Sequence, residues 1–272
     1  MPYSKFSNEP NREYWFQIWR SIDPIELAKR LSVYRGPLDK IIRNYFSKNE
    51  PILDGGCGLG QWSIYLAARG YDVTSLDFDE QTIKRLKKIK PEINWRVGYV
   101  QNLPFEDNQF GGYLLLGVIE HLQYDIMRAI DEAFRVLKDS GTLIVSVPFY
   151  SPFRKFARLY HKVDESKPFY QYYFEQNELI DLLSKSGFEV IDSLKIDPVL
   201  GLFGELPYIG QLYVSAQRTL VPARRKKEIH NPIIAQSPTS LYSILKTIHD
   251  PINESPFMCK IFAHMIVMVC KK

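Results

Sequence analysis

Asp54-Gly-Gly-Cys-Gly-Leu-Gly60 puts four glycines and one acid into seven residues. It stands where a short apolar run, Pro51-Ile-Leu53, ends and a helix-like segment, Gln61 to Arg69, begins. A turn of that composition lets a ligand approach bare backbone and aims helix N-terminal N–H groups at it. The next apolar run, Tyr71 to Leu76, ends in Asp77, about twenty residues past the glycines, where an acid suits the two hydroxyls of a ribose. The pattern implies a nucleoside-bearing ligand at the carboxyl end of a parallel sheet. Asp54 narrows the choice, because a carboxylate inside the loop repels a pyrophosphate and attracts a cation. The dinucleotide fingerprint G-x-G-x-x-G also fails, since Gln61 or Ser63 falls where its third glycine belongs.

Further along, His121 is the best-placed general base, a few residues past the fourth apolar run, and His161 is second. Glu120 shares the position of His121. Arg154, Lys155, Arg158 and Lys162 form a basic group that suits an acidic substrate or a solvated surface. Cys57 reads as a small residue packed under the glycine turn. The three cysteines, Cys57, Cys259 and Cys270, lack metal-ligand spacing and leave an odd count, so neither a metal site nor a disulfide framework is expected. Nucleophile-elbow and Walker signatures are absent from the sequence.

The elements that must position these residues alternate. Strands are expected at 51–55, 71–77, 93–99, 112–117 and 141–147, with helices at 60–69, 79–90 and 122–138. This order implies a doubly wound parallel sheet covered on both faces. The pattern resumes with a helix at 176–186 and a strand at 188–196, and the last strand is His264 to Cys270. Residues 148–175, rich in aromatics and bases, read as a substrate lid loop, since a loop this long inside a domain is usually functional. Before the core, Asp23-Pro24 starts a helix, and Tyr14 to Arg20 is an aromatic cluster. An insertion carrying Pro198 to Pro207 and Arg224-Arg-Lys-Lys227 separates the last two strands.

The set Asp54 to Gly60, Leu76-Asp77, Asn102 to Phe110, Val118-Ile-Glu-His-Leu122 and Arg135 to Leu143 resembles the class I S-adenosylmethionine-dependent methyltransferases, closest to the small-molecule group called type 11. The resemblance covers roughly residues 48–196. It implies a Rossmann-like seven-stranded sheet whose last strand is antiparallel and lies between strands five and six. It implies S-adenosylmethionine as cofactor, with the methionine part at Asp54, Gly55, Gly56, Cys57, Gly58 and Gly60, and the ribose at Asp77. Phe78 would lie against adenine, and Tyr99, Val100, Gln101, Asn102 and Leu103 would line its edge. Gly117 and Val118 would lie beside the methyl group. Relatives often carry Asp where this chain has Tyr99, so either the backbone of Val100 or Gln101 meets the adenine amino group or adenine is held less tightly. They also often carry Asp where this chain has Gly111.

On this reading the chain divides into an N-terminal helical cover (1–48), the cofactor-binding core (49–197), a cap insertion (198–260) and a final core strand (261–272). Tyr14, Trp15, Trp19, Tyr150, Arg154 and Tyr172 are expected to face the acceptor. The expected activity is methyl transfer to a small molecule, with oxygen the favoured acceptor atom. The alternatives are a lipid-linked or glycan precursor at a membrane surface, suggested by residues 198–227, and a non-catalytic cofactor-binding subunit. A net charge of +4 over 272 residues is too mild to imply nucleic acid. With no secretory h-region and no apolar run long enough to span a bilayer, a cytoplasmic location is the default.

Overall fold

Continuous apolar runs make strands buried on both faces, and here they form the centre of a sheet. The computed structural model describes residues 3–6, 19, 22–33, 36–159, 166, 168–204 and 253–272. Its large sheet contains β2 (Ile52–Gly55), β3 (Val73–Asp77), β4 (Asn94–Val97), β5 (Phe110–Leu116), β6 (Leu137–Pro148), β8 (Glu189–Ile196) and β9 (Met265–Lys271) in the order β4-β3-β2-β5-β6-β9-β8. β2 and β3 are buried at every residue. The edge strands β4 and β8 carry the polar side chains, as edges exposed to water should. β2 runs parallel to β3 and β5, β3 to β4, and β5 to β6. The last strand, β9, is antiparallel and lies between β6 and β8, as expected.

Helices complete the crossovers: α3 (Gln61–Ala67), α4 (Glu80–Ile89), α5 (Ile126–Val136) and α7 (Gln176–Lys185). Asp79 caps α4 by accepting from the Thr82 N–H at 2.9 Å. The chain leaves β2 toward β3 and β4 on one side and returns to β5 on the other, so the strand order reverses between β2 and β5. Open α/β sheets hold ligands at such a reversal, outside the carboxyl ends of the strands. The loops after β2 and β5 both end there.

Ahead of the sheet, α1 (Pro24–Val33) and α2 (Pro37–Tyr45) each begin at a proline, and Asp23 accepts from the Ile25 N–H at 2.9 Å. Two expectations need correction. The helix expected at 122–138 follows a short 3-10 turn, Ile119–His121, but begins only at Ile126, after the left-handed Asp125, and it stops at Val136. β6 starts at once at Leu137, and its register shifts before Gly112 pairs with Thr142. Residues 148–175 are not one loop. They contain α6 (Pro152–Ala157) and β7 (Phe169–Tyr173), and β7 pairs antiparallel with β1 (Tyr3–Phe6). A pairing partner more than 160 residues away leaves no local trace in the sequence.

The chain forms two compact units. The first is Met1–Phe149, Val163–Leu194 and Ile266–Lys272, and contains almost all of the large sheet. The second is Tyr150–Lys162 and Lys195–Met265; its described helices are α6, α8 (Pro198–Gly204) and α9 (Pro256–Phe262). Among the described residues, no helix is long and apolar enough to cross a membrane.

Candidate functional site

The glycine loop is tied to the neighbouring strand by its own backbone. The N–H groups of Gly56 and Cys57 both donate to the Leu76 carbonyl, at 2.8 and 3.0 Å. Gly56 sits at φ +69° against Val118, and a side chain on it would meet Val118 Cγ2 at 2.5 Å. The loops after β2 and β5 therefore touch through a missing side chain. Gly58, at φ +51°, faces the indole of Trp19, whose Cζ2 lies 3.4 Å from where a Cβ would stand. Arg85 holds that tryptophan's backbone by donating to the carbonyls of Trp19 (2.9 Å) and Ile22 (2.6 Å).

Two carboxylates flank the loop. Asp77 accepts from the Gly58 N–H at 2.8 Å and from the Asp79 N–H at 3.0 Å. Asp54 accepts from the Ser63 hydroxyl at 2.5 Å. Both are buried, and burial pushes both carboxyls up to about 6; the Asp77 charge adds to the rise at Asp54. Hydrogen bonds from Ser63, and from the Asp79 and Gly58 N–H groups, work the other way. Two buried acids without a basic partner among these contacts make a site that gains from a cation. Burial, then the charges of Asp77 and Asp54, pushes the Cys57 thiol well above its ordinary value, so Cys57 is no nucleophile.

Beyond Asp77, Phe78 and Tyr99 present nearly parallel rings, 16° apart in plane and 6.4 Å between centroids. Tyr99 is largely exposed, while Val100 and Leu103 are buried. The Asn102 N–H closes a turn on the Tyr99 carbonyl at 3.0 Å. Gln101 lies in that turn, half-buried. The Leu103 N–H donates to Glu132 at 2.7 Å, and Arg135 donates to the carbonyls of Leu103 and Phe105. The 99–105 segment is thus held from α5 at its far end only.

At the tip of β5, Gly117 turns at φ +68° into the 3-10 turn. Glu120 folds inward there and is 3 % exposed. Its Oε1 lies 3.4 Å from where a Gly117 Cβ would be, and its Oε2 is buried without a hydrogen-bond partner among the described residues. Burial pushes this carboxyl up to about 8, so it is mostly protonated at neutral pH. His121 Nδ1 lies 2.9 Å from the Tyr170 carbonyl of β7, and its Nε2 is 4.0 Å from Glu120 Oε1. A carbonyl only accepts, so Nδ1 carries the proton in the neutral ring. Burial lowers the His121 pKa below its ordinary value, the Tyr170 carbonyl partly countering. The Tyr172 hydroxyl donates to the Gln123 carbonyl at 3.0 Å, so β7 is stitched to the same turn.

The structure thus gathers Asp54, Gly55 to Gly60, Asp77, Phe78, Gly117, Val118, His121, Trp19 and Tyr172 within the first unit. Tyr150 and Arg154 fall in the second. There the buried Arg154 guanidinium donates to the His264 carbonyl at 2.8 Å and contacts His264 Nδ1 at 2.6 Å. Tyr14, Trp15 and His161 lie outside the described residues, as do Arg224 to Lys227. Sequence reasoning missed Tyr170. Its signal was a run of aromatics, Phe169 to Phe174, in a segment read as loop. Among the described residues, no group of acids, histidines and cysteines is placed to hold a metal ion.

Residues 53–145 match the family model described as "Methyltransferase domain". A "Probable S-adenosylmethionine-dependent methyltransferase" of Mycolicibacterium smegmatis is 32% identical over 154 residues, 56% of each chain. A ubiquinone/menaquinone biosynthesis C-methyltransferase of Rickettsia felis is 28% identical, over 56% of this chain and 74% of that one. The chain spans about half the length of the first of these relatives. Among solved structures, a SAM-dependent methyltransferase of Methanosarcina mazei superposes with a TM-score of 0.55 at 19% identity, over 85% of this chain and 96% of that chain.

Proposed function

This chain carries a class I S-adenosylmethionine-dependent methyltransferase domain, and from that premise we propose that it transfers a methyl group to a small molecule, with oxygen as the acceptor atom. The observation that carries the reading is the pair of buried acids around the glycine loop, Asp54 and Asp77. These residues fit the cofactor. Gly56, Gly58 and Gly60 would present bare backbone to its amino-acid end. The buried Asp54 favours its positive charges over any phosphate. Asp77, at the tip of β3, offers carboxylate oxygens to ribose hydroxyls. When bound, S-adenosylmethionine supplies a methyl group already activated by its sulfonium.

What remains for the protein is position and a proton acceptor. A hydroxyl acceptor gains from a neutral base, and His121 is neutral at physiological pH, its tautomer set by the Tyr170 carbonyl. On this reading the acceptor hydroxyl would point toward Nε2 of His121, which would take its proton. Glu120, protonated and lacking a partner for Oε2, meets a second polar group of the acceptor. The aromatic strand β7 gives that acceptor a flat apolar wall. Carbon is the second reading, supported by the C-methyltransferase relative from Rickettsia felis; a carbanion acceptor also needs a base.

Calorimetric titration with S-adenosylhomocysteine and with NAD tests the cofactor assignment. Binding of the former alone is expected, and binding of NAD alone overturns it. Transfer from labelled S-adenosylmethionine to an extract, followed by cleavage with hot hydroiodic acid, then separates the two: oxygen-linked label leaves as volatile methyl iodide and carbon-linked label stays.

A further inference from the structure

Charge is divided unevenly between the two units. The sequence stretches that make up the second unit carry twelve lysines and arginines against five aspartates and glutamates, a net +7, whereas those of the first carry 23 against 26, a net −3; among the described residues the second unit has five (Arg154, Lys155, Arg158, Lys195 and Lys260) against two (Asp197 and Glu254). The modest +4 of the whole chain hides this separation. The same unit also exposes large apolar side chains. Phe156 at the end of α6 is 56% exposed, Leu159 just beyond it 79%, and Phe257 in the first turn of α9 67%. The helices α6 and α9 touch, with Phe153 and Phe262 5.1 Å apart between ring centroids. No residue of α9 is buried, although its sequence, Pro-Phe-Met-Cys-Lys-Ile-Phe, has little that is polar. Lys155 and Lys260 are exposed on the same two helices and Arg158 is half-buried, with Glu254 the exposed acid beside them.

We propose that this face of the second unit binds the surface of an anionic lipid bilayer. Exposed phenyl and isobutyl groups gain by leaving water, at about 25 cal/mol per Å². Lys155 and Lys260, exposed on the same two helices, would meet the lipid phosphates. Nucleic acid also attracts bases, but it rewards stacking platforms and hydrogen-bond donors, and Leu159 is neither. This inference does not rest on the methyl-transfer reading, and S-adenosylhomocysteine affinity, a property of the first unit, reports on that reading separately.

Co-sedimentation of the full chain with vesicles of phosphatidylcholine alone, and of phosphatidylcholine with phosphatidylserine, tests the proposal. The chain is expected to sediment with the anionic vesicles and to be released by salt. Replacing Lys155 and Lys260 by glutamine is expected to weaken binding about fivefold each. The Leu159→Ser and Phe257→Ser double variant is expected to weaken it at least tenfold while circular dichroism and S-adenosylhomocysteine affinity stay unchanged. Failure to bind anionic vesicles at low salt overturns the proposal. So does a serine variant that binds like the wild type, or tighter binding to duplex DNA or RNA than to vesicles.

Discussion

At the scale of single residues, Asp77 holds the Gly58 N–H and is proposed to hold a ribose as well. Removing its carboxylate orphans polar partners on both sides, so Asp77→Ala is expected to weaken S-adenosylhomocysteine binding by about 1–3 kcal/mol by calorimetry. Unchanged affinity would place the sugar elsewhere. Protonation of this acid should act in the same direction. Asp54 and Asp77 both titrate near 6, raised by burial, and a cationic ligand prefers their ionised forms. Affinity for S-adenosylmethionine is therefore expected to rise from about pH 5 to about pH 7 and then level off. A flat profile would mean that neither carboxylate faces positive charge. His121→Ala is expected to slow an O-methylation by roughly 10²-fold; a C- or N-methylation that proceeds at the wild-type rate in that variant would demote the imidazole to a scaffold for β7.

At the scale of elements, the glycine loop works because its neighbours occupy the room that side chains would need. A Cβ on Gly60, at φ +66°, would stand 2.5 Å from Cη2 of the buried Trp95. Gly60→Ala thus combines overpacking, about 1–3 kcal/mol, with a left-handed backbone penalty of about 1–2 kcal/mol. Urea unfolding is the measurement, and a midpoint lowered at unchanged m-value is the expected result. Such positions were legible in the sequence, because glycines spaced between a short apolar run and a helix signal leave few alternatives. The sheet was legible for the same reason: β2, β3, β5 and β6 are apolar runs punctuated by turns, and the Asp79 cap and Pro91 bound α4. The strand β7 was not, since residues 169–174 are aromatic at nearly every position and show no period of two. Its partner β1 lies at the other end of the chain. The late start of α5 was not legible either, since the left-handed Asp125, at φ +66°, interrupts what reads as one helical pattern from 122 onward.

At the scale of the whole molecule, the burial of Glu120 makes the ligand-free protein sensitive to alkali. Glu120 titrates near 8 when folded and near 4.5 when unfolded, because burial disfavours its charge. The folded chain therefore binds a proton that the unfolded chain has lost. That contribution is fully present below about pH 4.5 and disappears as pH rises through 8. Asp54 and Asp77 act with the same sign, but in the lower window between 3.8 and about 6. His121 acts with the opposite sign, since its lowered pKa makes folding less favourable as pH falls through 6.5. Acid conditions thus mix opposing effects, whereas from 6.5 to 8 Glu120 stands apart from those three. Over that interval the ligand-free protein is expected to lose stability on the order of 2 kcal/mol, read as a fall of several degrees in the unfolding temperature of the core. Glu120→Gln keeps the shape and removes the proton, so its unfolding temperature should change little across the same interval. A variant that still falls as steeply as the wild type would show that the alkaline loss comes from another group, and with it would go the protonated carboxyl proposed to meet the acceptor.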